Sequence, residues 1–132
     1  MNELTLQSRS RNEFIDITSQ VRQAVADSGV VSGVVTCFVP HTTAAITINE
    51  NADPDVPRDI LDKLSRAFPR DDGYHHGEGN SDAHVKSSLV GCSVQVIVEN
   101  GRLLLGTWQG IFFCEFDGPR PRTVFIKVVR HA

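Results

Sequence analysis

The chain has 132 residues, the usual size of one globular domain, so we expect residues 1–132 to fold as a single domain. Its 16 acidic and 13 basic residues give a net charge of −3, which argues against binding to nucleic-acid phosphates. No apolar stretch reaches the roughly 20 residues of a membrane-spanning helix, and the first residues lack the pattern of a signal peptide. We therefore expect a cytoplasmic protein with neither a nucleic acid nor a membrane as partner.

The three cysteines are predicted to be reduced and buried. Cys37, Cys92 and Cys114 are far apart in sequence, form no CxxC motif and have apolar or small neighbours. Their odd number and spacing do not fit a framework of disulfides.

The first elements predicted along the chain are two short strands and a helix. Leu4 and Leu6 alternate with polar residues, and apolar residues return after a polar turn, which is typical of a β-hairpin. A helical repeat follows and ends near Gly29, with Asp16 or Thr18 as candidate N-cap. The apolar positions of this helix are Ile17, Val21, Ala24 and Val25.

Two strands and a second helix are predicted next. The Val-rich segment 30–39 and the alternating segment 43–49 indicate strands, and His41 lies where the chain turns between them. Asp53 and Pro54 then open a helix that ends before Pro69. Its apolar stripe consists of Val56, Ile60, Leu61, Leu64, Ala67 and Phe68.

The second half of the chain predicts a polar loop, a short helix and a set of strands. Residues 70–81 are polar and glycine-rich, so they indicate a loop, and Ser81 is a candidate cap for the short helix after it. Asn100 and Gly101 fit a type I′ hairpin turn. The remaining strands are predicted at 94–98, 103–105, 111–116 and 123–129. The whole pattern indicates an α+β fold in one compact domain, with a largely antiparallel or mixed sheet, two main helices and one short helix.

Metal-ligating side chains are concentrated around the polar loop. Imidazole, carboxylate and amide groups occur there within ten positions and are of the kind that hold divalent cations. No spacing among them is a recognised zinc motif, so a polar surface loop remains an alternative. His41 would add to such a site if the fold brought it near, but a histidine bonded to the backbone beside a strand is also possible. The loop residues are His75, His76, Glu78, Asn80, Asp82 and His84.

Three further features are candidates for substrate binding. The sequence Asn49-Glu50-Asn51 precedes a helix N-terminus, where a phosphate can bind, although these residues can also shape a turn. Trp108 lies between two glycines and can line a pocket, fill the core or form an interface. Arg120, in a turn, is either a phosphate ligand or a surface charge.

Four motifs in the same order resemble the YjbQ family. They are HTTAAITINENADPD from His41, EGNSDAHVK from Glu78, GRLLLGTWQG from Gly101 and CEFDGPR from Cys114. The resemblance spans nearly the whole chain. It implies a small cytoplasmic α+β protein that forms a homotrimer and a secondary thiamine-phosphate synthase activity, with the physiological substrate of the family unsettled.

The resemblance also assigns residues to a site. His41, His76 and His84 match positions that we expect to bind a divalent metal, zinc or magnesium, and the assignment to metal is our own inference. His75 precedes His76 where the family usually has another residue, so the ligand is ambiguous by one position.

The implied reaction joins a pyrimidine methyl diphosphate to a thiazole phosphate with loss of diphosphate. The expected catalytic residues are Glu50, Asn51, Glu78 and Lys86, and the expected substrate-binding residues are Asn49, Asn80, Trp108, Gln109 and Arg120. Two alternatives use the same residues. One is a binding module without turnover for a small phosphorylated or anionic metabolite, and the other is a metal-dependent hydrolase.

Overall fold

The computed structural model describes residues 1–131, and it shows one compact α+β domain with eight strands and three helices. The strands are β1 (Asn2–Gln7), β2 (Glu13–Asp16), β3 (Gly33–Phe38), β4 (Ala44–Glu50), β5 (Ser93–Glu99), β6 (Arg102–Leu103), β7 (Gln109–Glu115) and β8 (Pro121–Arg130). The helices are α1 (Thr18–Ser28), α2 (Asp55–Ala67) and α3 (Ser81–Val90).

The strands form two antiparallel sheets. The five-stranded sheet has the order β1-β8-β3-β5-β6, and the three-stranded sheet has the order β2-β7-β4. The inward side chains of both sheets and of α1 form the main core, which excludes water from their apolar surfaces. This core includes Ile17, Val21, Val35, Cys37, Ile46, Val98, Ile111, Phe113, Val124 and Ile126.

A second apolar cluster covers the other face of the three-stranded sheet. Phe112, Cys114 and Phe116 point to this side because side chains alternate along a strand. Leu61 of α2 and Ala83 of α3 pack against them. Both faces of β7 are therefore covered, which explains why its apolar run 111–114 is continuous.

The predicted N-terminal hairpin is wrong. β1 pairs with β8 in the five-stranded sheet, whereas β2 pairs with β7 in the three-stranded sheet. Strands from the carboxyl half of the chain supply both partners, and such long-range pairing leaves no local signal in residues 1–16.

The predicted helices are present, but their N-caps differ. The first helix has Ile17 as its N-cap, and Asp16 accepts a hydrogen bond from the Thr18 N–H at 2.9 Å from outside the helix. Asn80, rather than Ser81, is the N-cap of α3, which has ten residues. Gly29 ends α1 in the left-handed conformation with φ 69°, as the sequence indicated.

The cysteine prediction holds for two residues and fails for the third. Cys37 and Cys114 are buried, whereas Cys92 is exposed, because it lies in the connection between α3 and β5 rather than in a sheet. All three are free thiols. No helix within residues 1–131 is long and apolar enough to cross a membrane.

Candidate functional site

His41 lies at the end of the molecule where β4 and β8 begin and β7 ends. The backbone N–H of Thr123, on β8, donates a hydrogen bond to Nε2 of His41 at 3.0 Å. Partial burial and the nearby Arg122 guanidinium lower the pKa of His41, because both disfavour a charged imidazole. His41 therefore has a fixed ring and a preference for the neutral form.

A cavity of about 340 Å³ joins His41 to α3. His84 of α3 also lines it, so the structure brings two of the three predicted histidine ligands to one cavity. The hydroxyl of Ser87 is buried and has no hydrogen-bond partner among the described residues. The lining residues are His41, Thr42, Ala44, His84, Ser87, Ser88, Gly91 and Cys92, with no Asp or Glu among them in the described chain.

His76 is the histidine of the polar loop that contacts His84. The two rings lie 5.4 Å apart between centroids in an edge-to-face arrangement. Nδ1 of His76 is 3.1 Å from the hydroxyl of Ser81, and its Nε2 is 3.6 Å from a carboxylate oxygen of Glu78. The structure thus selects His76 over His75 as the neighbour of His84, and Glu78 is largely exposed beside them.

The three predicted metal ligands do not assemble into a metal site within this chain. No group of three or more His, Cys, Asp or Glu side chains in residues 1–131 has the proximity needed to hold an ion. In addition, Nε2 of His41 is used as an acceptor by the Thr123 N–H. His41, His76 and His84 in this arrangement therefore do not form a three-histidine metal site. Metal binding by this protein stays a prediction.

Arg120 is positioned by Asp117 at the same end of the molecule. Its Nε donates to the carbonyl oxygen of Asp117 at 2.9 Å, and its guanidinium also pairs with the Asp117 carboxylate at 3.1 Å. Asn80 donates to the same carboxylate at 2.9 Å, while its own Oδ1 is buried without a partner among residues 1–131. About half of the Arg120 side chain is exposed, and its charge lies close enough to affect the pKa of His41.

Lys86 is buried in an ion pair. Its Nζ lies 2.9 Å from the Asp82 carboxylate, one turn earlier on α3, and both side chains are at most 2% exposed. Arg11 also contacts Asp82, at 3.0 Å. Burial alone raises the pKa of Asp82, but hydrogen bonds and charges from Lys86 and Arg11 outweigh it and lower the value. The charge of Lys86 is therefore neutralised by protein, and its predicted catalytic role stays a prediction.

A second buried ion pair, which was not predicted from the sequence, lies beside His41. Glu115 on β7 is fully buried and binds the guanidinium of Arg122 on β8 through both carboxylate oxygens. Arg122 also donates to the hydroxyl of Thr43 at 2.9 Å. The available signal was a glutamate inside the apolar run 111–116, because a charge in such a strand needs a partner.

The remaining predicted residues lie at the opposite end of the three-stranded sheet. Glu50 pairs with Gln109 across β4 and β7, and the Asn51 N–H donates to the carbonyl oxygen of Trp108 at 3.0 Å. The Asn51 amide binds Asp16 at 3.1 Å, and Oδ1 of Asn49 accepts the Glu50 N–H at 2.7 Å. The Trp108 side chain is 62% exposed, so it does not fill the core.

The structure therefore divides the predicted site into two groups. β4 runs from Ala44 to Glu50, which corresponds to about 20 Å at the usual rise per strand residue. One group, His41, His76, Glu78, Asn80, His84, Lys86 and Arg120, lies near the start of β4. The other, Asn49, Glu50, Asn51, Trp108 and Gln109, lies near its end.

Fold and site together define a class of small α+β protein, with two antiparallel sheets and a histidine-lined cavity at one end of them. The family model described as UPF0047 protein YjbQ-like matches residues 2–131. The chain belongs to this family, which confirms the resemblance drawn from the four motifs.

Relatives with similar sequences span almost the same length. The UPF0047 protein YugU of Bacillus subtilis is 53% identical over 130 residues, covering 98% of each chain. A UPF0047 protein of Archaeoglobus fulgidus is 46% identical over 129 residues, covering 96% of this chain and 99% of its own.

Solved structures share the fold. A protein of the YjbQ/UPF0047 family from Clostridium acetobutylicum has a TM-score of 0.97 and 58% identity, covering 98% of this chain and all of its own. A YbjQ-like protein of unknown function from Sulfolobus solfataricus has a TM-score of 0.95 and 33% identity, covering 98% of this chain and 96% of its own. These matches define the fold and the family but name no reaction.

Proposed function

We propose that this protein is a cytoplasmic transferase that acts on a small phosphorylated substrate at the cavity between His41 and His84. The observation that carries the proposal is the composition of this cavity, whose polar side chains are imidazoles, hydroxyls and the Cys92 thiol and, in the described chain, include no carboxylate. Such a lining favours negatively charged oxygens, because they accept hydrogen bonds and meet no like charge. Arg120, held by Asp117 at the same end, adds a cation.

The reaction implied by the family resemblance suits this setting. The thiazole nitrogen forms a bond with the methylene carbon of the pyrimidine methyl diphosphate, and the bond from that carbon to oxygen breaks. The leaving diphosphate takes the electron pair, so negative charge increases on its oxygens. Fixed donors and cations that face those oxygens stabilise the transition state more than the ground state. No nucleophilic side chain is required.

His41, His76 and His84 do not assemble into a metal site within residues 1–131, so the proposed reaction assigns them no metal-binding role. The transferase proposal is carried by His41, His84 and Arg120 alone. The assay is still run with zinc and with magnesium, because both metals were predicted from the sequence.

A homotrimer is part of the same proposal. The exposed apolar side chains Phe38, Ile97 and Val129 belong to β3, β5 and β8 and lie on the outer face of the five-stranded sheet. Burial of this face between copies would remove apolar surface from water. A neighbouring copy is also the means by which the group that contains Glu50 and Trp108 can approach a cavity about 20 Å away.

A binding module without turnover is the second candidate. This candidate is favoured by the burial of Lys86 in its ion pair with Asp82. A lysine held in this way is not free to take part in catalysis. The hydrolase receives less support, because Glu50 lies at the far end of β4 and Glu78 is 77% exposed.

The test is an assay of purified protein with both phosphorylated substrates, with and without zinc or magnesium. We expect thiamine phosphate and diphosphate in equal amounts, and at least a tenfold loss of rate in His84→Ala and Arg120→Ala. His75→Ala is the control, because His75 is an exposed histidine of the polar loop before α3. Diphosphate release without the thiazole substrate would support the hydrolase, and binding without any product would support the binding module.

A further inference from the structure

The hydrogen bond between Thr123 and His41 determines which ring nitrogen of His41 carries a proton. Thr123 donates its backbone N–H, so Nε2 of His41 must be the acceptor at 3.0 Å. A neutral imidazole has one N–H, which then resides on Nδ1. A proton on Nε2 would instead place two donors, the Nε2–H of His41 and the N–H of Thr123, against each other.

The surroundings of His41 support this neutral form. Burial and the Arg122 guanidinium lower its pKa, Glu115 and the backbone contact with Thr123 raise it in part, and Arg120 lowers it, so that the net direction is downward. Glu115 is itself bound to Arg122 through both of its oxygens, so the guanidinium offsets much of its charge.

We propose that His41 is a fixed neutral hydrogen-bond donor that binds a phosphoryl oxygen of the substrate through Nδ1–H, and that it is not a metal ligand. This inference rests on the proposed function in that it concerns the same cavity, and it names the ligand chemistry as an oxyanion. With Nε2 occupied by Thr123 and Nδ1 protonated, neither nitrogen offers a lone pair to a metal ion.

A second observation in the cavity points to the same ligand. Ser87 is 8% exposed, and its hydroxyl has no hydrogen-bond partner in residues 1–131. Buried hydroxyl groups are normally paired, so an unpaired one at a cavity wall is suited to a ligand acceptor. A phosphoryl group has enough oxygens to accept from both His41 and Ser87.

The first part of the test reads the tautomer directly. In ¹⁵N-labelled protein, two-bond ¹H–¹⁵N correlations of the imidazole rings distinguish a protonated Nδ1 from a protonated Nε2. We expect the Nδ1–H form of His41 at pH 7, with His41→Ala used to assign its signals. A protonated Nε2, or a His41 signal that shifts stoichiometrically on addition of zinc, would overturn the inference.

The second part uses inorganic diphosphate as the probe in calorimetric titrations. His41→Asn retains an amide donor near the position of Nδ1, whereas His41→Gln retains an acceptor for Thr123 but no donor at Nδ1. Because one hydrogen bond to a charged group is lost, we expect Gln to weaken diphosphate binding about tenfold or more. Asn should weaken it clearly less, although only Gln preserves the structural hydrogen bond.

The two proposals fail in different ways. Equal losses of diphosphate binding in the Asn and Gln variants, or none in either, would overturn the role of His41 as a donor whether or not the enzyme turns over. Diphosphate binding that follows the predicted order, combined with no product from the two substrates, would overturn the transferase and leave the assignment of His41 intact.

Discussion

Glu115 of β7 and Arg122 of β8 form a buried ion pair that joins the three-stranded sheet to the five-stranded sheet next to His41. The carboxylate is fully buried and also accepts hydrogen bonds from the Ser8 hydroxyl at 2.7 Å and the Asp117 N–H at 3.0 Å. Ser8 near the amino terminus and residues 115–122, which are distant in sequence, therefore meet at one carboxylate. The geometry of the candidate site depends on this junction.

Replacement of Glu115 by glutamine should destabilise the protein by about 3 kcal/mol, because it leaves the Arg122 guanidinium buried without its counter-charge. The measurement is equilibrium unfolding in urea at pH 7. Glu3→Gln, on the exposed edge of β1, is the control and should change the free energy of unfolding by less than about 0.5 kcal/mol. A similarly small effect of Glu115→Gln would show that the pair contributes little.

The same pair predicts a dependence of stability on acid. Burial tends to raise the pKa of Glu115, but hydrogen bonds from Arg122, Ser8 and Asp117 outweigh it and lower the value. A carboxyl group whose pKa is lower in the folded state stabilises the protein above its unfolded pKa, about 4.3 for glutamate, and this contribution is lost as the pH falls through the folded pKa. We expect the urea midpoint to decline below about pH 4 and to decline less steeply in Glu115→Gln. Identical slopes would contradict this prediction.

Gly33 should not tolerate a side chain. A Cβ at this position would overlap the backbone carbonyl of Val129, where β3 pairs with β8. Because a backbone in a sheet yields little, Gly33→Ala should destabilise the protein by about 1–3 kcal/mol. Gly77→Ala is the matched control, since nothing lies within 4 Å of the added atom. Equal stability of the two variants in thermal unfolding would show that β8 adjusts.

Only one of the three thiols should react quickly in the folded protein. Burial raises the pKa of Cys37 to about 11 and that of Cys114 still further, so neither provides a thiolate at neutral pH. Cys92 is exposed and lines the cavity of His41. A disulfide-exchange reagent should label one thiol in the native parent protein and three after the parent protein is unfolded. It should label none in native Cys92→Ser. Inorganic diphosphate should slow the labelling of Cys92, and an unchanged rate would argue against a ligand in this cavity.

A charge on the outer face of the five-stranded sheet should disrupt the proposed trimer. Ile97 is 52% exposed and lies opposite Val34 in the pairing of β5 with β3. Ile97→Lys should convert trimer to monomer in sedimentation velocity, because a buried unpaired ammonium group opposes association. Leu89→Lys is the control on α3, where the leucine is 63% exposed. Dissociation by Leu89→Lys alone would assign the interface to α3, and a monomeric parent protein would overturn the trimer.

Much of this protein was determined by local sequence. The apolar alternation and helical repeats identified most strands and all three helices, because side-chain periodicity reflects which face is buried. Gly29 ends α1, and Asn100 and Gly101 form the hairpin turn with φ of 53° and 73°. These are local backbone requirements, so their residues identify them without tertiary information.

Tertiary structure alone decided which strands pair and which site residues meet. β1 and β2 enter different sheets because their partners, β8 and β7, come from the other half of the chain. His41 and His84 share a cavity, whereas Glu50 and Trp108 lie at the far end of the same sheet, although all four belong to the recognised motifs. The residue type shows which side chains are capable of chemistry. The neighbours, burial and hydrogen-bond partners of such a side chain depend on long-range packing.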